Sequence, residues 1–379
     1  MNISFPRSVS RGPKALLKSA LRPGVQMARE MPVHVDHLRQ AGGKAPLAVF
    51  LPAYGRQGAA LLRMYNIAQA LRPFGWRTLV LPPSLGLQQR LRLLHGAGAD
   101  VIVMQGARHA LNRPALYPGF PILFDMDDAD FHLPHLADPV RRAMPDVAGV
   151  IAGSRYVADW CRQNGAGVAH VVWTGTPVSE GPRPAAAARK RVIAWAQSRP
   201  MTYVHEAALV AQVSRAVAAQ CPNVTLRLYD RQPGDDAGFI ERFRTPDLAV
   251  EWAETSQYSD YLSSFDDVAV GLAPLSIDTP FSRGKSFGKV LAYLDRAVPV
   301  VGSDRGEHGQ FFTPETGVIT NDPAIMVRET VRLLKSPEDR HTMATAAFSA
   351  FRQRLSVEAA AEHTHQVLSS VVAARKHVT

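Results

Sequence analysis

Cysteine is almost missing from this chain. Its 379 residues hold two, Cys161 and Cys221, too few for a disulfide scaffold, and the scarcity fits a reducing, cytoplasmic setting. No run of eighteen apolar residues occurs, so no transmembrane helix is expected. The basic N-terminus has neither a continuous apolar stretch nor a small-residue cleavage site, and no signal peptide is expected. No His/Cys metal spacing, no G-x-S-x-G elbow and no RNA- or DNA-binding motif is present.

What is present reads as a globular protein of two domains: 46% hydrophobic and 20% charged residues, in a length too great for one ordinary core. The formal net charge of +10 favours anionic partners, whether a phosphorylated substrate, an anionic membrane face or nucleic acid. A generally basic surface of an Ala/Arg/Pro-rich composition accounts for the charge equally well. In residues 1–45, a basic extension, Arg7, Arg11, Lys14, Lys18 and Arg22 recur three or four apart with Leu16, Leu17 and Leu21 between them. That spacing suits a short basic helix lying on anionic lipid, limited by Pro13 and Pro23 to about two turns, or a loosely packed extension.

From residue 47 short β-branched runs alternate with helical patterns. "PLAVFLP", "WRTLVLP", "ADVIVMQ", "PILFDM", "VAGVIAG" and "VAHVVWT" come first. A Pro-rich segment, 175–190, then interrupts them and reads as an interdomain linker. "RVIAWAQ", "VTLRLYD", "LAVEWAE", "DDVAVGLAPL", "AVPVVGS" and "TGVIT" follow. This is an α/β pattern of two Rossmann-like, doubly wound parallel-sheet domains, 46–180 and 190–352. A helical tail follows, with a C-terminal helix at 353–379 and a helix start at Ser336-Pro337 upstream of it. Tandem doubly wound sheets turn their carboxyl ends to a common cleft, so functional residues are expected in the loops after the strands.

Five loops carry candidate chemistry. In "SIDTPFSRGKSFGKVLAYLDR", Gly284, Ser286 and Gly288 let backbone N–H groups approach a ligand at a predicted helix start. Arg283, Lys285 and Lys289 add charge for a diphosphate there. The "GKS" is no Walker A motif, because Thr279 stands where its first glycine belongs. In "PILFDMDDADF", Asp125, Asp127, Asp128 and Asp130 cluster after a strand, with Asp127 and Asp128 chosen as catalytic acids or bases. Asp125-Met126-Asp127 also has the form of a divalent-cation site, and loop hydrogen bonding is the plainest reading of the cluster. In "PAYGRQGAALLR", Gly55 and Gly58 make a compact first loop without a dinucleotide fingerprint, and Arg56 and Arg63 are candidates for an anionic acceptor. In "AWAQSRPMTYVHE", Ser198 and Arg199 are candidates for the donor phosphates. In "GSDRGEHGQFF", Glu307 is a candidate donor-binding acid.

The order of these blocks resembles the GT-B glycosyltransferases, in particular the family 4 and family 1-like group. "FDDVAVGLAPL" followed by "FSRGKSFGKVLAYLDRAVPVVGS" follows that group's strand, "FNRxKS" loop and "PVVAS" strand, and "VIAGSRYVADWCRQNG" resembles the segment closing its first domain. The likeness covers roughly residues 47–370. It implies sugar transfer from a nucleotide-sugar donor to a glycan, lipid-linked or other acceptor, usually retaining. No metal or other cofactor is implied, because basic side chains neutralise the leaving diphosphate. Nucleic acid is not an expected partner, and peripheral association with the inner face of an anionic membrane is. One departure stands out. The group's two acids, eight residues apart, fall here on Gly284 and Ala292. Either another residue binds the donor ribose, or the donor binds differently, or catalysis is impaired. The alternatives are a non-catalytic sugar-nucleotide or partner-binding module on this fold and a nucleotide-sugar epimerase.

Overall fold

The computed structural model describes residues 44–231, 237–254 and 257–376. The basic repeat of residues 7–22 lies outside them. Twelve parallel strands form two sheets, and every apolar run named above supplies one of them. In the first sheet β1 is Leu47–Leu51, β2 Arg77–Val80, β3 Val101–Gln105, β4 Ile122–Met126, β5 Gly149–Ala152 and β6 Ala169–Val171. Their order is β2-β1-β3-β4-β5-β6. In the second, β7 is Val192–Trp195, β8 Val224–Leu228, β9 Leu248–Trp252, β10 Val268–Ala273, β11 Val300–Gly302 and β12 Val318–Ile319. That sheet runs β12-β11-β10-β7-β8-β9. Both are doubly wound orders, reversing at β1/β3 and at β7/β10, where ligands bind such sheets.

Continuous β-branched runs form the central strands because helices cover both faces of each sheet. β1, β3, β4 and β10 are buried at every position. Gly271 interrupts β10 for a packing reason: a Cβ there would lie 2.7 Å from the Tyr293 ring. The space lets Tyr293 cross the strand, donate its hydroxyl to the Ala194 carbonyl at 2.8 Å and accept the Ala196 N–H at 2.7 Å. The loop after β7 is thereby pinned from below.

The chain crosses between the two units twice, and the crossings pair. Thr176 N–H donates to the Leu355 carbonyl at 3.2 Å, and Val357 N–H donates to the Thr176 carbonyl at 2.9 Å. The Pro-rich segment beyond is docked rather than loose: Ser179 N–H donates to Asp295 Oδ1 at 2.8 Å, and Arg183 Nε to the Asp295 carbonyl at 2.9 Å. Ser336 caps the helix Pro337–Arg354, its hydroxyl accepting the Asp339 N–H at 3.1 Å. The final helix, Val357–Lys376, returns to the first unit. There Val357, Ala360, Val367 and Leu368 share a buried cluster with Phe50, Met64 and Val103, and Trp76 Nε1 donates to His365 Nδ1 at 2.9 Å.

Candidate active site

The loops after β7, β8 and β9 wall a cleft of about 600 Å³. Ala196, Gln197 and Ser198 come from the first of these loops, Tyr229, Asp230 and Arg231 from the second, and Ala253 and Glu254 from the third; Tyr258, Tyr261, Gly288 and Lys289 complete the second unit's share. Gly58, Leu61 and Leu62 face them from the first unit. Those residues begin a helix spanning 58–70 whose middle turn, Leu61–Tyr65, is π-wound, an irregularity frequent at functional sites. At the other wall Tyr258 ties the cleft to the crossing, its hydroxyl 3.1 Å from Thr176 Oγ1.

The predicted phosphate residues are arranged differently from a helix start. Residues Pro280–Gly284 form a 3-10 turn, and the α-helix begins only at Leu291, ending at Asp295. Extended backbone at Lys285 and a turn closed by the Val290 N–H on the Phe287 carbonyl intervene. What remains is side-chain chemistry. Lys289 lines the cleft, half-buried, and burial together with the nearby Lys285 charge lowers its pKa to about 8. Ser286 is buried and its hydroxyl has no hydrogen-bond partner among the described residues. Ser198 lines the cleft and is exposed; Arg199 is exposed in the same loop. Arg283 is exposed on the 3-10 turn, where its charge helps burial to hold the His132 pKa down.

Lys285 is partly buried and already paired. Its ammonium donates to Asp128 Oδ1 at 2.9 Å, reaching from one unit to the other. Arg108 donates to the other Asp128 oxygen at 3.0 Å and to Asp130 at 2.7 Å. Burial tends to raise the Asp128 carboxyl, but Lys285 and Arg108 outweigh it and hold it at about 2. Asp127 Oδ1 accepts the Thr174 hydroxyl at 2.6 Å and lies 3.6 Å from Arg63. The four aspartates are thus engaged by cations and hydroxyls, and among the described residues no three His, Cys, Asp or Glu side chains converge as a metal cage.

Other candidates do not line this cleft. Arg63 is buried, chelates Asp125 through three bonds of 2.8, 3.1 and 2.7 Å, and donates to Thr174 at 2.9 Å. Its position in the π turn directs it under the sheet edge, where a buried guanidinium needs a carboxylate. Gly55 and Arg56 sit on a loop outside the cleft lining, with the Arg56 guanidinium 5.9 Å from the Tyr65 ring centre. Glu307 is buried and does not face the donor cleft. It accepts the Arg155 N–H at 2.8 Å, at the start of the helix Arg155–Gln163, and the Trp173 indole N–H at 2.9 Å. It joins the two units. Glu307→Ala leaves both donors unpaired, and a loss of about 2–4 kcal/mol in urea-unfolding stability is expected, with nucleotide affinity unchanged.

Gly284 and Ala292 also find their explanation here. A Cβ on Gly284 would lie 2.6 Å from the Ala129 Cβ of the first unit, so an acid at 284 has no room. Ala292 is 3% exposed in the core beside Leu291 and Tyr293 and does not line the cleft. Arg108, Asp230, Glu254, Tyr258 and Tyr261 are the cleft and interface residues that the sequence reading passed over. For Asp230 a signal existed: it ends "VTLRLYD" at a carboxyl edge.

No family model and no curated protein matches the sequence. Solved structures do. Sucrose-phosphate synthase from Thermosynechococcus elongatus matches over 87% of this chain and 100% of its own, at TM-score 0.67 and 13% identity. The Anabaena protein HepE, in complex with UDP-glucose, matches over 86% and 99%, at TM-score 0.62 and 17% identity. This is the GT-B glycosyltransferase fold. A putative UDP-N-acetylglucosamine 2-epimerase from Listeria monocytogenes also matches, over 84% and 94%, at TM-score 0.53 and 10% identity. The cleft described above is the GT-B interdomain cleft, walled here by β-strand loops of the second unit and the π-wound helix of the first.

Proposed function

We propose that the chain transfers a sugar from a nucleotide-sugar donor to a hydroxyl of a glycan or lipid-linked acceptor, with retention at the anomeric carbon and without a metal ion. The observation that carries this reading is the pairing, beside the β7/β10 switch point, of a cleft with a basic side chain that makes no salt bridge among the described residues. Lys289 lines the 600 Å³ space with its pKa lowered to about 8, and Ser286 holds a buried hydroxyl without a partner among the described residues. Lys289 is the kind of group a diphosphate satisfies; Ser286 lies three residues before it, buried behind the cleft lining. Charge developing on the leaving phosphate is stabilised by fixed cations in a site partly closed to water. Arg199, Arg283 and Lys285 lie on the loops bordering that site. HepE, of the same fold, was solved with UDP-glucose bound, which supports the donor class.

The aspartate loop faces the donor side from the first unit through the Asp128–Lys285 pair. In this reading Asp127 accepts the proton of the acceptor hydroxyl, and Asp128, held ionised by Lys285 and Arg108, helps to orient that hydroxyl. The chain works at the cytoplasmic face of an anionic membrane, a placement supported by its +10 charge.

Incubation with UDP-, GDP- and ADP-sugars, with and without acceptor glycans, tests the reaction. Acceptor-stimulated release of free nucleotide is the expected result. Binding without release or transfer from any donor identifies a binding module instead. Conversion of a nucleotide-sugar to its epimer without an acceptor identifies an epimerase.

A further inference from the structure

Ala292 is buried, so the donor ribose needs a hydrogen-bond acceptor from elsewhere in the cleft. In doubly wound nucleotide-binding sheets the pyrophosphate lies at the loop after the first strand, and an acid past the second strand meets the ribose. Here the first strand is β7 and the second is its neighbour β8. Asp230 stands two residues past Leu228, the end of β8, and lines the cleft.

The backbone supports a special role at this position. Asp230 is left-handed, with φ 58°, and so is Arg199 on the facing loop, with φ 51°. Side-chain-bearing residues rarely adopt that region, and such residues concentrate at functional sites. The two positions are joined, because Arg199 N–H donates to Asp230 Oδ2 at 3.0 Å. That bond orients the carboxylate beside the β7 loop. Asp230 also acts electrostatically on Lys289, raising its proton affinity against the effect of burial. Acid and lysine therefore border one cleft.

We propose that Asp230 accepts hydrogen bonds from the ribose hydroxyls of the donor and so sets a preference for ribonucleotides over deoxyribonucleotides. This rests on the nucleotide-sugar reading above. Glu254, past β9, also lines the cleft but lies one strand farther from the switch point.

The test is calorimetric titration of the full chain with UDP, GDP and ADP and with their 2′-deoxy counterparts. The unsubstituted protein is expected to bind its preferred ribonucleotide roughly tenfold or more tightly than the deoxy form. Asp230→Asn loses that ratio, and so does Asp230→Gly, which suits the left-handed backbone and guards against a folding defect. Glu254→Gln keeps the ratio, and Lys289→Ala weakens both nucleotides alike. A ratio unchanged in both Asp230 variants overturns the proposal, as does a ratio lost only in Glu254→Gln. If the folded protein binds no nucleoside diphosphate of either kind, the nucleotide-sugar reading falls and this proposal with it.

Discussion

Lys289→Met lowers affinity for nucleoside diphosphates by about 10–100-fold while making the unliganded protein more stable. The affinity loss follows from removing one charge-assisted contact to phosphate. The stability gain follows from the lysine's environment. Burial and the Lys285 charge depress the Lys289 pKa from 10.5 to about 8, so the folded state holds this proton less tightly than the unfolded chain does. Below pH 8 both states are protonated and the full destabilisation is present. It fades as pH rises from 8 to 10.5, where only the unfolded chain keeps the proton. Methionine keeps the stem and removes the charge. A gain of roughly 1–2 kcal/mol at pH 7, disappearing above pH 10.5, is expected in thermal or urea unfolding, after discounting for partial exposure. The same linkage predicts proton uptake on ligand binding. At pH 8 the unliganded lysine is about half protonated, so binding takes up as much as half a proton, measurable by calorimetry in buffers of different ionisation enthalpy. A Lys289→Met protein that keeps its affinity, or its proton uptake, would falsify the phosphate assignment.

Asp128→Asn produces two effects of opposite sign. Stability falls, because Lys285 and Arg108 are left facing each other across the interface without their shared counter-charge. Removing one partner of a fully buried pair costs more; with Asp128 partly exposed, about 2–4 kcal/mol is expected. The loss depends on pH in a defined direction. Lys285 and Arg108 overcome burial to hold the Asp128 pKa below 3.8, at about 2. Its contribution is therefore complete above pH 4 and is lost as pH falls through 2, so substituted and unsubstituted chains converge in acid. Diphosphate affinity moves the other way. In the unliganded protein Asp128 occupies the Lys285 ammonium at 2.9 Å, and any phosphate must compete for it. Without that competitor, affinity rises by roughly tenfold while transfer is lost. Titration of the variant with UDP, GDP and ADP checks the first effect; weaker binding than in the unsubstituted chain would show that Asp128 holds the cleft in its binding geometry instead of competing for it.

The two lysines show how unevenly the site was legible. Lys285 and Lys289 sit four apart in one loop and read as equivalent phosphate ligands. Only Lys289 lines the cleft, and Lys285 is held by a carboxylate 157 positions away in the chain. Nothing local signals such a pair. Glu307 was misplaced for the same reason: its partners, Arg155 and Trp173, lie in the other unit. Arg63 read as a candidate for an anionic acceptor, but it lies in a π turn and is paired with a buried Asp125. Asp230 shows the reverse case, a residue whose strand-end position was readable and whose importance rests on a left-handed backbone that sequence does not display.

The sequence alone determined the strands, the two Rossmann-like units and the loops that carry chemistry. These depend on short-range periodicity: runs of β-branched residues bury on both faces and polar loops must lie outside them. The tertiary structure alone decided which charges meet. It put Glu307 and Lys285 at a seam between units, moved Ala292 into the core, left no space beside Gly284, and set Asp230 across a cleft from Lys289. Ion pairing acts through space in a partly desolvated seam, where its strength depends on distance and burial and not on separation along the chain.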